Sequence, residues 1–188
     1  MRLGFPVDSL IVTAGYNARP EQQHLMMLRA IAALAPKLKQ MLHIVLPMTY
    51  GAGAEAIAEV REVLTSIGCS STVLTKFMDE EDQARLAVAT DVFINAQTTD
   101  ALSASLQEFI YGGAEVLNGA WLDYSELLEA GVVMHTFSDL EDLTVLLGSV
   151  VEGFVRDRGM DGANRVAMRN RSWAGVARIW GALYQPKR

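Results

Sequence analysis

Apolar and polar residues alternate along this chain in blocks rather than one by one. Short apolar runs recur at Ser9-Leu-Ile-Val-Thr13, Met41-Leu-His-Ile-Val-Leu46, Ser71-Thr-Val-Leu-Thr75, Val92-Phe-Ile94, Ala114-Glu-Val-Leu117 and Val132-Val-Met-His135. Each has strand length, and the second is nearly all apolar, as expected where both faces are covered. The segments between them carry helical spacing. Leu25, Leu28, Ile31, Ala32 and Leu34 form one stripe behind Pro20, which suits a first helical turn. Ile57, Val60, Val63 and Leu64 form a second, stopped by Gly68. Leu86 and Val88 mark a third helix; a fourth carries Glu108 and stops at Gly112-Gly113. A short helix over Tyr124–Glu129 ends at Gly131, and Leu140, Leu143, Leu146 and Leu147 form the apolar side of another. Ser138 is placed to cap that last helix, with Glu141 at the reciprocal position.

Six strands alternating with helices predict an α/β fold, a Rossmann-like doubly wound parallel sheet of about six strands. The pattern assigns residues 1–150 to this domain. Residues 151–188 form a helical tail in which Trp173, Val176, Trp180 and Tyr184 share a face. That face either packs on the domain or meets another domain or subunit, a homodimer through Trp173, Trp180 and Tyr184 included.

Composition narrows the class. Of 188 residues, 51% are hydrophobic and 20% charged, which fits a folded core and excludes disorder. There is no run of eighteen apolar residues, and the start lacks the apolar stretch of a signal peptide. The single cysteine, Cys69, excludes an internal disulfide and fits a reducing cytoplasm. Charge is uneven: residues 1–154 hold 8 basic and 20 acidic side chains, whereas residues 155–188 hold 8 and 2. No recognition motif accompanies the basic tail, which disfavours nucleic acid as a partner.

Ligands of such sheets bind beyond the carboxyl ends of the strands. The loops there hold the candidate chemistry. Gly15, Asn17 and Arg19 follow the first strand, and His24 opens the helix after it. Gly15 permits close backbone approach, and Arg19 can pair with a phosphate. Thr49, Tyr50, Gly51 and Gly53 follow the second strand. Thr98, Thr99 and Asp100 follow the fourth and suit sugar hydroxyls, although Asp100 or Ser103 can instead cap the next helix. Glu108, eight residues on, either binds the two hydroxyls of a ribose or faces solvent. The glycine fingerprint for dinucleotides, the phosphate loop and the serine nucleophile elbow are all absent. His24, His43 and His135 show no metal-like spacing, and no metal or cofactor is expected.

Together these residues resemble the carboxyl-terminal, nucleotide-sugar-binding domain of GT-B glycosyltransferases of the glycogen-synthase-like group. The resemblance rests on Ala89-Thr-Asp91-Val-Phe-Ile-Asn-Ala96 and on the spaced acids Asp100 and Glu108, Asp100 standing where the family has glutamate. Val45-Leu-Pro-Met-Thr-Tyr-Gly51 is also similar to bacterial transferases of fucosamine-type sugars onto lipid carriers, and Ser172-Trp173 through Tyr184 to the family's final helix. The resemblance implies a donor nucleoside-diphosphate sugar. Asp100 would touch the sugar and Glu108 the ribose. Gly15 and Arg19 would meet the diphosphate, and Phe77 and Met78 the base. It further implies a missing amino-terminal acceptor domain that holds any catalytic base, so that this chain alone turns over little. It implies a role in polysaccharide or cell-envelope synthesis, in the cytoplasm or at the inner face of the membrane. The alternative is a non-catalytic nucleotide-binding or interaction module with a degenerate pocket. An epimerase of the same architecture would need two such halves.

Overall fold

The computed structural model describes residues 3–154 and 162–183. Six parallel strands, β1 (Leu10–Ala14), β2 (Leu42–Pro47), β3 (Ser70–Leu74), β4 (Val92–Asn95), β5 (Glu115–Gly119) and β6 (His135–Phe137), lie in the order β3-β2-β1-β4-β5-β6. The chain fills one half of the sheet and then crosses to the other. The reversal of order between β1 and β4 opens a crevice at their carboxyl ends.

Helices cover both faces, which is why the central strands are apolar throughout. β1, β2 and β4 are buried at every position. On one face Val12, Ile44 and Ile94 pack with α1 (His24–Ala33), α3 (Ala54–Ile67) and α7 (Leu140–Gly153). On the other, Ile11, Val45 and Phe93 pack with α4 (Glu80–Ala89), α5 (Ala104–Gly112), α6 (Ser125–Glu129) and α8 (Ala163–Arg171). A short α2 (Pro36–Lys39), not expected from the pattern, leads into β2. Asp91 is buried, and its Oδ2 accepts the Ile11 N–H at 2.8 Å. It thereby ties β4 to β1 just before their ladder begins.

Local signals account for most element ends. Gly68, Gly113 and Gly131 stop their helices with φ of 74°, 93° and 88°. Three expectations need correction. The helix after β1 does not run on from Pro20: Pro20–Gln22 is a single 3-10 turn, and Gln23, at φ 55°, breaks it from α1. The inward stripe of α1 is Met27, Leu28, Ala30 and Ile31 with Leu34 beyond its end, while Ala32 is exposed.

The second correction is the sixth strand. It starts at His135, because the preceding valines have other partners: Val132 N–H bonds Leu127 O at the end of α6, and Val133 pairs through both backbone groups with the Asn164 side chain. The third is the cap of α7. It is Asp139, whose carboxylate accepts the Asp142 N–H at 2.9 Å, while Asp142 accepts Ser138 N–H at 2.8 Å. The cap thus sits one residue later than expected, and the returning carboxylate of Asp142 meets the backbone and hydroxyl of Ser138.

In the tail, Ala167 and Met168 of α8 are buried against the α5 layer. The helix α9 (Trp173–Leu183) follows, with Trp180 half exposed. The Trp173 side chain and Tyr184 lie outside the described residues. Among the described residues no helix is long and apolar enough to cross a membrane.

Candidate functional site

The carboxyl edge of the sheet carries two neighbouring regions. The first is a pocket under the ends of β1 to β3. It is lined by Tyr16 of the first loop, Pro47 at the end of β2, Thr49 and Tyr50 beyond it, Met78 after β3, Gln83 of α4, and Ser105, Glu108 and Phe109 of α5. Glu108 is held there by its helix. The Phe93 and Phe109 rings stack at a centroid distance of 4.0 Å, fixing α5 on β4. Gly112 brings α5 close against α4, since a Cβ there would lie 2.4 Å from Ala87 O. Glu108 is exposed at the pocket mouth, yet desolvation by the surrounding protein raises its carboxyl above the usual range. Tyr50 is half exposed, Phe77 is 81% exposed, and Met78 is buried. An apolar groove continues from Glu108 between α4 and α5 to Met168 and Arg171 of α8.

The second region fills the switch point between β1 and β4. Gln97, just past β4, is buried. Its Oε1 accepts the Tyr16 hydroxyl at 2.8 Å and Gln22 Nε2 at 2.9 Å. Its carbonyl accepts Trp121 Nε1 at 2.7 Å. Gln22 Oε1 in turn accepts Tyr16 N–H at 3.1 Å. Gly15, at φ 69°, closes over this group: a Cβ there would stand 2.9 Å from Gln22 Oε1 and 3.1 Å from His24 Nε2.

His24 therefore sits elsewhere than its place at the helix start suggests. It is buried beneath Gly15, its Nε2 has no hydrogen-bond partner among the described residues, and burial pushes the imidazole down to about 4. It is neutral at physiological pH, so it adds no positive charge for a diphosphate. Most backbone amides of the first loop also turn inward. Gly15 N–H bonds Ile94 O, Ala18 N–H bonds Tyr50 O and Arg19 N–H bonds Asn17 Oδ1 at 2.9 Å. Asn17 is buried as the brace of this loop, its Nδ2 reaching the Tyr50 hydroxyl at 3.5 Å. Arg19 is exposed, and its guanidinium makes no hydrogen bond or ion pair among the described residues. It remains as the cation of the loop.

Beyond β4, Thr98 and Thr99 are exposed, with Thr98 N–H bonded to Glu21 O at 2.8 Å. Asp100 does not cap α5. That role falls to Ser103, whose Oγ accepts Leu106 N–H at 3.2 Å. Asp100 Oδ2 instead accepts the hydroxyl of Tyr124.

Sequence reasoning missed Tyr16, Gln97 and Tyr124. The nearest signal lay beside Tyr124, in its partner Asn95: both Val92-Phe-Ile-Asn95 and Glu115-Val-Leu-Asn118 place an asparagine after an apolar run, and those two residues pair in register. His43 lies between Ser70 and Thr72 hydroxyls, and His135 stands 3.6 Å from Glu115, both away from this edge. No group of three or more potential metal ligands occurs among the described residues.

No family model and no curated protein matches this chain. Solved structures do. Sucrose-phosphate synthase from Thermosynechococcus elongatus superposes with a TM-score of 0.76 at 16% identity, over 97% of this chain and 46% of that one. Anabaena HepE, solved with UDP and glucose, gives 0.73 at 15% identity, over 94% and 48%. The N-terminal domain of Candida albicans trehalose-6-phosphate phosphatase gives 0.70 at 9% identity, over 94% and 41%. This chain thus spans less than half of each, and its six-stranded parallel sheet with flanking helices matches one half of a GT-B fold. Identities this low carry the fold and not the activity.

Proposed function

We propose that this chain is the donor domain of a glycosyltransferase, binding a nucleoside-diphosphate sugar for transfer to a saccharide or lipid-linked acceptor. One observation carries the reading. Glu108, open to solvent, shares a pocket with Tyr16, Thr49, Tyr50 and Met78 at the carboxyl edge, beside the switch point of a GT-B half. Its two oxygens suit the paired hydroxyls of a ribose. Tyr50, Met78 and exposed Phe77 offer surface to the base. Arg19 pairs with the diphosphate and offsets the charge that grows on it as a leaving group. Gly15, Asn17, Thr98, Thr99 and Asp100 border the sugar, and His24 acts from below by supporting the Gly15 turn. The acceptor and any general base belong to a second domain, and the donor needs no metal among these residues. Synthesis of cell-envelope polysaccharide in the cytoplasm, at the inner face of the membrane, is the setting this reading favours.

A second reading, a nucleotide-binding or interaction module with a degenerate pocket, draws on a different observation. Most amides of the first loop are already bonded within the protein, which leaves a diphosphate few backbone donors. Calorimetry with UDP-, GDP-, dTDP- and ADP-sugars separates the two. Saturable binding of one nucleotide, weakened about tenfold or more by Glu108→Ala, supports the donor domain; each tenfold corresponds to about 1.4 kcal/mol. No binding at millimolar ligand favours the interaction module, and binding that Glu108→Ala leaves unchanged favours a nucleotide-binding module with a degenerate pocket.

A further inference from the structure

Asn95, Asn118 and Tyr124 have no part in the donor site described so far, yet they form its deepest polar structure. Asn95 and Asn118 are register partners at the ends of β4 and β5, both fully buried. Asn95 Nδ2 donates to Asn118 Oδ1 at 2.9 Å and to the Tyr124 hydroxyl at 3.3 Å. Asn118 Nδ2 returns to the strand through Gly119 O at 3.0 Å. The Tyr124 hydroxyl, buried at the start of α6, in turn donates a hydrogen bond to Asp100 Oδ2. A strut of side chains therefore runs from the rigid sheet to a loop carboxylate. Burial and the adjacent Asp100 both raise the Tyr124 phenol, so the donor proton stays in place across the physiological range.

The strut engages one oxygen of Asp100. Oδ1 has no hydrogen bond among the described residues, and it belongs to a loop whose Thr98 and Thr99 are exposed. A carboxylate fixed by one oxygen can accept a hydroxyl with the other at little further ordering cost. We propose that Tyr124 is a positioning residue: it holds Asp100 at the angle from which Oδ1 reads a hydroxyl of the donor sugar, so the Asn95–Tyr124–Asp100 strut sets which sugar is accepted. The inference rests on the donor-domain reading. It makes a claim specific to the sugar, because a nucleoside diphosphate without its sugar does not reach the strut.

The test is calorimetry on the wild-type chain, Tyr124→Phe, Asp100→Asn and the double variant, using matched pairs: UDP and UDP-glucose, GDP and GDP-mannose, ADP and ADP-glucose. Tyr124→Phe keeps the buried ring, and Asp100→Asn alters only a loop residue, so thermal melts of the two report separately on folding. The expected result is a roughly tenfold loss for the nucleotide sugar in Tyr124→Phe, with the nucleoside diphosphate changed by less than about twofold. The double variant should bind no more weakly than Asp100→Asn, because both changes break one interaction. Equal losses for both ligands, or no loss for either, would overturn the proposal by making Tyr124 a structural or an idle residue. Wild-type binding that gains nothing from the sugar would overturn it while leaving the donor reading intact. Failure of the wild type to bind any of the six would remove the donor reading and the proposal with it.

Discussion

The two regions along the carboxyl edge are built in opposite ways. The Glu108 pocket presents groups with little internal employment: an exposed carboxylate and a half-exposed Tyr50, while the exposed Phe77 precedes pocket-lining Met78 without lining the pocket itself. The switch point is a plug. Gln22, Gln97, Asn95 and Asn118 are buried and bonded to one another or to Tyr16 and Tyr124, and His24 lies neutral beneath Gly15. The difference is one of energetic role. Groups bonded to each other in a dry interior support the fold, and changing one leaves its partner unsatisfied. Groups left in water contribute little to stability and are free to meet a ligand. Substitutions in the plug should therefore lower stability, and substitutions in the pocket should lower binding.

The largest expected effect is acid destabilisation through the plug. His24 titrates near 6.5 when unfolded and about 4 when folded. Between these values the unfolded chain binds more protons, so stability rises with pH across the window and is lost as pH falls through it. The full difference is about 3 kcal/mol. His43, also lowered by burial, adds in the same direction. Urea unfolding at pH 7 and at pH 4.5 should show the loss, and His24→Gln should flatten it. An unchanged slope in that variant would remove His24 from the plug's energetics.

Gln97→Leu ranks next. It strands the Tyr16 hydroxyl and Gln22 Nε2 together, at a cost of about 2 kcal/mol. A melting temperature lowered by about 4–8 °C is the readout for a chain of this size. Gly15→Ala should cost about 1–2 kcal/mol, because the residue has φ 69° and its new methyl meets Gln22 Oε1. Smallest of all is the effect of Glu108→Ala on stability, within about 0.5 kcal/mol despite its loss of nucleotide binding. A large destabilisation there would erase the contrast between pocket and plug. Nucleotide binding should also weaken on acidification, since the raised Glu108 carboxyl gains its proton earlier than an ordinary glutamate and then offers one acceptor fewer.

Much of the architecture was legible along the chain. The six apolar blocks, the glycine stops at Gly68, Gly113 and Gly131, and the helix over Ala54–Ile67 are local features, with their causes within a few residues. The same holds for the carboxylate at position 108, because helix spacing from the end of β4 puts it at the edge. Two of the errors came from distant partners. Val132 to Met134 read as strand because apolar runs favour strands, but a side chain 31 residues away, Asn164, had taken the Val133 backbone groups. Asp100 could be read as a cap of α5, but Ser103 caps that helix, and Tyr124, on a different loop, holds one oxygen of the Asp100 carboxylate.

The alternation of strands and helices is written in the order of the residues, and with it the doubly wound sheet, whose carboxyl edge is where ligands bind. Which edge residues are free follows from the packing of distant loops. Tyr16 meets Gln97 across 81 positions and Gln22 meets it across 75, contacts created by the crossover that sets β4 beside β1. A polar residue in a loop reads the same whether it will bond a ligand or a neighbour. The choice is made when the sheet brings distant loops within about 3 Å of one another, and no local spacing contains that distance.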